Sequence, residues 1–292
     1  MTLPPFHEHP DVLLVLGGLE AAYLVAVRRH RCAAPASDPA WRRRAVLFSC
    51  GMLALFAGAG WPIHDLAEGY LYSVHMVQHM LFALVAPPLL IAGSPAWMLR
   101  KALASRPAAA AFRFVTRPLV ALVLFNGVFL LIHWPAVVAA SVRSEPFHLG
   151  LHVVLVLSAL AMWWPVMSPL PEMPPLSPPG QMMYLFLQSL APTIPASFLT
   201  FGRTVLYPVY ATFPRIWGIS ALTDQLIAGL IMKLAGGLYL WGFITVIFFR
   251  WHAREEREGW DALRRHAVER EVRAASPAPT EDPAVPKELS AR

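Results

Sequence analysis

Residues 72–92 read YSVHMVQHMLFALVAPPLLIA, 21 positions with no Asp, Glu, Lys or Arg among them. An α-helix rises about 1.5 Å per residue, so about 20 such residues cross the roughly 30 Å hydrocarbon core of a bilayer. A helix on the surface of a soluble protein carries a charged face, because one side of it meets water. Here every turn is apolar, as expected when lipid is the solvent. Two adjacent prolines, Pro87 and Pro88, sit inside the run. Membrane helices tolerate that when neighbouring groups take up the freed carbonyls.

Working outward, comparable runs lie near 11–27, 45–66, 118–138, 147–168, 181–201 and 221–249. Together they predict an all-α integral membrane protein, a bundle of seven transmembrane helices. The first run is short and carries Glu20, and the last is long enough to tilt or project. Of 292 residues, 57% are hydrophobic and 14% charged. An average soluble chain is about a quarter charged.

The basic residues set an orientation. The connection between runs one and two holds Arg28, Arg29, Arg31, Arg42, Arg43 and Arg44. The next alternate connection holds Arg100, Lys101, Arg106, Arg113 and Arg117, and nine more basic residues follow from Arg250 onward. The opposite connections contain only Arg143, Arg203 and Arg215. Twenty against three is a strong positive-inside signal, which predicts the N-terminus outside and the C-terminus in the cytoplasm. The net charge of +6 therefore reads as topology, and no nucleic-acid partner is expected. Cys32 and Cys50 flank the first basic connection, on the reducing side, so neither a disulfide nor a metal pair is expected of them. The first ten residues are polar and Pro-rich and do not read as a cleavable signal peptide.

The domain reading follows. Residues 1–250 form the seven-helix domain, 251–274 a cytoplasmic amphipathic helix against the inner headgroups, and 275–292 a disordered tail rich in Pro, Ala and Glu. The Pro-rich connection 169–180 is expected to be extended and semi-rigid.

Six of the eleven histidines carry the functional signal: His64, His75, His79, His133, His148 and His152 all fall at the outer ends of runs two to five. His75 with His79 and His148 with His152 are spaced i, i+4, which turns both rings of each pair towards one neighbour. His79 and His152 lie roughly 10 and 8 Å into their runs. Polar groups at that depth face the protein interior. Two such pairs on neighbouring helices can converge on one ion, and imidazole suits copper, zinc or iron; the alternative is a hydrogen-bonded network. Met76 and Met80 follow the first pair and either add thioether ligands or pack. Asp224 opens the last run at the same side, as a partner for a metal-bound imidazole or as a helix cap. Lys233 sits mid-membrane, where an unpaired lysine costs about 2.5–3.5 kcal/mol. Glu20 is the acid at comparable depth and is the expected partner. Carbonyls freed near Pro87, Pro192 or Pro195 are the alternative.

At these residues the chain resembles the polytopic CtaG-type cytochrome c oxidase assembly factors. The resemblance rests on HMVQHMLFALVAPPLLIAGSP at 75–95, HWP at 133–135, HLGLH at 148–152 followed by MWWP at 162–165, and DQLIAGLIMK at 224–233. It covers most of residues 50–250 and leaves the tail outside. It implies a multi-pass protein of the bacterial inner membrane that assembles haem-copper oxidase, with oxidase subunits or assembly intermediates as partners and copper as the ion handled. The family's histidine pattern falls on His75, His79, His148 and His152, with His64, His133 and Asp224 in support.

Other readings weigh less. A retinal protein on Lys233 needs a carboxylate in the third run, which has none. A b-type haem protein and a copper transporter remain as alternatives. No HExxH, nucleophile–base pair or phosphate-binding glycine loop suggests an enzyme.

Overall fold

The computed structural model describes residues 5–33 and 39–275, and all regular structure among them is helical. Six helices are long and apolar enough to cross a membrane: Pro10–Ala33, Trp41–Gly69, Tyr72–Gly93, Glu145–Met167, Pro178–Phe201 and Ala221–Glu271. The crossing expected at 118–138 is built differently. Arg106–Val115 and Pro118–Ile132 form a pair bent by 73°. The second member, at 15 residues, is only about 22 Å long. It stops because Pro135 holds Trp134 in extended backbone, after which a short helix, Pro135–Ser141, follows. Hydrophobicity marked this stretch correctly but did not show the break.

The basic connection before it is also helical, as Ala96–Ala102 and Arg106–Val115. Ser105 caps the latter, its Oγ accepting from the Ala108 N–H. The Pro-rich connection after Met167 is non-helical, as expected, until Pro178 opens the next helix. Arg100 grips Glu172 there with two hydrogen bonds of 2.8 and 3.0 Å, and that guanidinium holds the carboxyl down to about 2.

The chain divides into two compact units, Met1–Thr245 and Val246–Arg292. In the second, the helix that began at Gly236 continues to Ala275. The separate amphipathic helix expected over 251–274 is thus the continuation of one helix. Its exposed face carries local pairs such as Trp251 Nε1–H to Glu255 Oε1 at 3.0 Å. Of the tail expected at 275–292, residues 276–292 lie outside the described residues.

In the first unit the helices pack through small residues and satisfy one another's prolines. Pro87 has no N–H to give the carbonyl of Ala83, four residues back. The helix widens into a π segment, Leu81–Val85, and buried Trp163 donates its indole N–H to that carbonyl at 3.0 Å. At Gly93 the same helix presses on the second one. A Cβ there would lie 2.5 Å from Phe48 N and 2.7 Å from its Cα. Backbone atoms cannot swing aside as a side chain can. Gly93→Ala is therefore expected to cost about 1–3 kcal/mol or more, read as a lower unfolding midpoint in detergent. A midpoint equal to wild type would mean that the helices are not in contact there.

Candidate metal centre

The helix starting at Tyr72 presents His75 and His79 in its first two turns, and the helix starting at Glu145 presents His148 and His152 in its own. Within each pair the ring centroids lie 4.3 and 4.1 Å apart. Between helices, His75 is 5.5 Å from His148 and 5.8 Å from His152, and His79 is 5.5 Å from His152. All four are buried. One nitrogen each from His75, His148 and His152 lie within 4.8 Å of one another. The structure therefore brings the two predicted pairs into one cluster.

The donor set fits an ion. His75 Nδ1, His79 Nδ1, His133 Nε2, His148 Nε2 and His152 Nε2 are all buried without a hydrogen-bond partner. Buried polar atoms are otherwise almost always paired, so five orphans at one place call for an explanation. Direct hydrogen bonds between these rings, one form of the network read from the sequence as the alternative, are not made by these five nitrogens. The cavity among His75, His79, Ile132, Ser141, His148, Leu151 and His152 is ≈ 10 Å³, the space for one water-sized body.

His133 joins from the end of Pro118–Ile132, its ring 5.4 Å from His79. Its Nδ1 donates to Phe129 O at 2.7 Å. A carbonyl only accepts, so that bond puts the proton on Nδ1 and leaves the Nε2 lone pair free. Tyr207 holds the same turn by donating its hydroxyl to His133 O at 2.8 Å. Burial pushes the Tyr207 phenol up to about 12, so it stays a donor.

One acid escaped the sequence reading. Glu68 Oε1 lies 3.1 Å from His148 Nε2 and 3.3 Å from His64 Nε2, close enough for ion pairs but out of line for a hydrogen bond to His148. By hydrophobicity the second run ends at 66, which puts Glu68 in a connection. Its i, i+4 spacing from His64 was the available signal. His64 also meets Gln78 Nε2 at 3.3 Å, so it borders the cluster through Gln78 and Glu68.

Other expected residues fall elsewhere. Met76 is buried but does not line the imidazole cavity, and Met80 turns to a separate cavity of ≈ 300 Å³ with Met162, Met232 and Lys233. Asp224 is a cap, but not of its own helix, which Ser220 caps. Its carboxylate accepts the N–H groups of Tyr72 at 2.7 Å and Ser73 at 2.9 Å, and so caps the helix that carries His75 and His79. The expected Glu20–Lys233 pair is not made. Glu20 accepts from Ser49 on the second helix and its other oxygen has no partner, whereas the Lys233 ammonium lies 5.5 Å from the Phe201 ring. The first helix packs along the second, and depth in a bilayer does not make two residues neighbours.

The fold and site define a multi-pass helical membrane protein with a buried histidine cluster near one end of the bundle. The chain belongs to the cytochrome c oxidase caa3 assembly factor family (Caa3_CtaG), which it matches over residues 21–254. It is also similar to an uncharacterized protein of Mycobacterium bovis and one of Mycobacterium tuberculosis, each 25% identical over 272 residues and 88% of this chain. The chain spans 40% of the length of these curated relatives. No solved structure matches it.

Proposed function

We propose that this chain binds copper through His75, His79, His148 and His152 and supplies it to cytochrome c oxidase during assembly. The observation that carries the reading is the set of five buried imidazole nitrogens without a hydrogen-bond partner on three converging helical segments. Copper is favoured over calcium or magnesium because every donor is nitrogen. His133 supports the site from its edge. The space among the rings is too small for a porphyrin, which disfavours b-type haem. The role is delivery and not catalysis, with oxidase subunits or assembly intermediates as partners. The positive-inside pattern supports a histidine end on the outer side of a bacterial inner membrane and a C-terminal helix in the cytoplasm. The bent pair Arg106–Val115 and Pro118–Ile132 then completes a seventh crossing.

Metal analysis of detergent-purified protein, with an absorption spectrum, tests this. After anaerobic loading and desalting, about one copper per chain and no haem band are expected. Protein that keeps no copper, or that shows a haem spectrum, would overturn the reading.

A further inference from the structure

The buried cluster is joined to the surface by a line of imidazole and carboxylate side chains. Residues 5–9 carry no regular secondary structure, and within them His7 and His9 both reach Asp65: His7 Nδ1 is 2.9 Å from Oδ1, and His9 Nε2 is 3.0 Å from Oδ2. The His9 ring lies 4.8 Å from that of His64. Both His64 and His148 then approach the same oxygen of Glu68, at 3.3 and 3.1 Å. His148 is itself one of the three nitrogens within 4.8 Å. Side-chain exposure falls from 65% at His7 to 5% at His148. Each step is short enough for an ion to gain one ligand before it loses the last.

We infer that this line, His7 and His9 with Asp65, then His64 with Glu68, then His148, is the route by which a divalent transition-metal cation such as copper(II) reaches the buried cluster. The inference rests on reading the cluster as a metal centre. The two carboxylates supply what the cluster lacks. They lower the cost of taking a partly dehydrated cation between apolar helices, and they draw it in from solution. A carboxylate shared by two imidazoles holds a cation on either side in turn, so Glu68 is the step between surface and interior. The route involves ligand exchange only, with no change of oxidation state.

A route residue and a ligand differ in kinetics. Removing a route residue slows loading and release alike and leaves the equilibrium where it was. Removing a ligand weakens binding and speeds release. The test is stopped-flow loading of the full purified chain with glycine-buffered copper(II), followed by the copper–imidazole absorption, with release read after adding a chelator. The variants are the pair His7→Ala with His9→Ala and, separately, Glu68→Gln. Both variants are expected to reach the wild-type copper content, with loading and release each slowed about tenfold, the lower end of what a focusing charge adds to an on-rate. The arm variant removes no side chain from within the bundle, so it tests the route even if Glu68→Gln folds poorly. Wild-type rates in the arm variant overturn the route. A lower affinity with unchanged loading in Glu68→Gln overturns it too, and makes Glu68 a ligand. No uptake by the wild-type chain overturns the metal centre itself, which separates the two failures.

Discussion

Replacing His75 with alanine is expected to abolish copper retention and lower cytochrome c oxidase activity, while the protein remains inserted in the membrane. Of the four histidines in the two pairs, His75 and His152 are the two whose rings each lie within 6 Å of the rings of the other three. Removal of His75 breaks the trio of close nitrogens. Loss of a group that merely orients a ligand costs about 10–100-fold in metal affinity, and loss of the ligand itself is expected to exceed that. His152→Ala acts in the same way. His79→Ala should weaken binding less, because its nitrogen lies outside the closest trio. Added copper in the medium should partly restore oxidase in the weaker variants. Stability is the control: His75 Nδ1 is buried without a partner, so His75→Leu removes a desolvated polar group and should hold or raise the melting temperature. Normal oxidase in both His75→Ala and His152→Ala would leave only a scaffold role.

Asp224→Ala is expected to give the largest loss of stability of any substitution near the site. The carboxylate is 1% exposed and accepts two backbone N–H groups of another helix. Hydrogen bonds to a charged group contribute about 1.5–3 kcal/mol each, so about 3 kcal/mol or more should be lost. Asp224→Asn keeps an acceptor and should lose less. The first turn of the Tyr72 helix is released with the bonds, and His75 is only three residues further on. Copper affinity should therefore fall together with stability in Asp224→Ala, unlike in His75→Ala. Thermal unfolding in detergent beside a copper titration separates the two patterns. An alanine variant within about 0.5 kcal/mol of wild type would show that the cap contributes little.

Both predictions join two distant parts of the chain, and that is where the sequence stopped being legible. The sequence alone determined that the helices lie in lipid, because runs such as 72–92 have no charge to offer water and cannot leave backbone groups unpaired. It also determined that His75 and His79 share a face, as do His148 and His152, since helical periodicity is local. Six of its seven apolar runs are helices long and apolar enough to cross a membrane, but it did not show the breaks. Pro135 ends a helix at Ile132, whereas Pro87 does not end one, because Trp163 takes the carbonyl of Ala83, 80 positions away from it, that Pro87 leaves free. Only the tertiary structure decided which faces meet. It turned the two histidine pairs together and Met80 away, gave Asp224 to a helix 150 positions earlier, placed Glu68 between His64 and His148, and separated Glu20 from Lys233. The physical reason is one of range. Solvent preference and helical phase are set by residues within a few turns, but pairing depends on which helices touch, and side-chain chemistry at equal depth does not encode that.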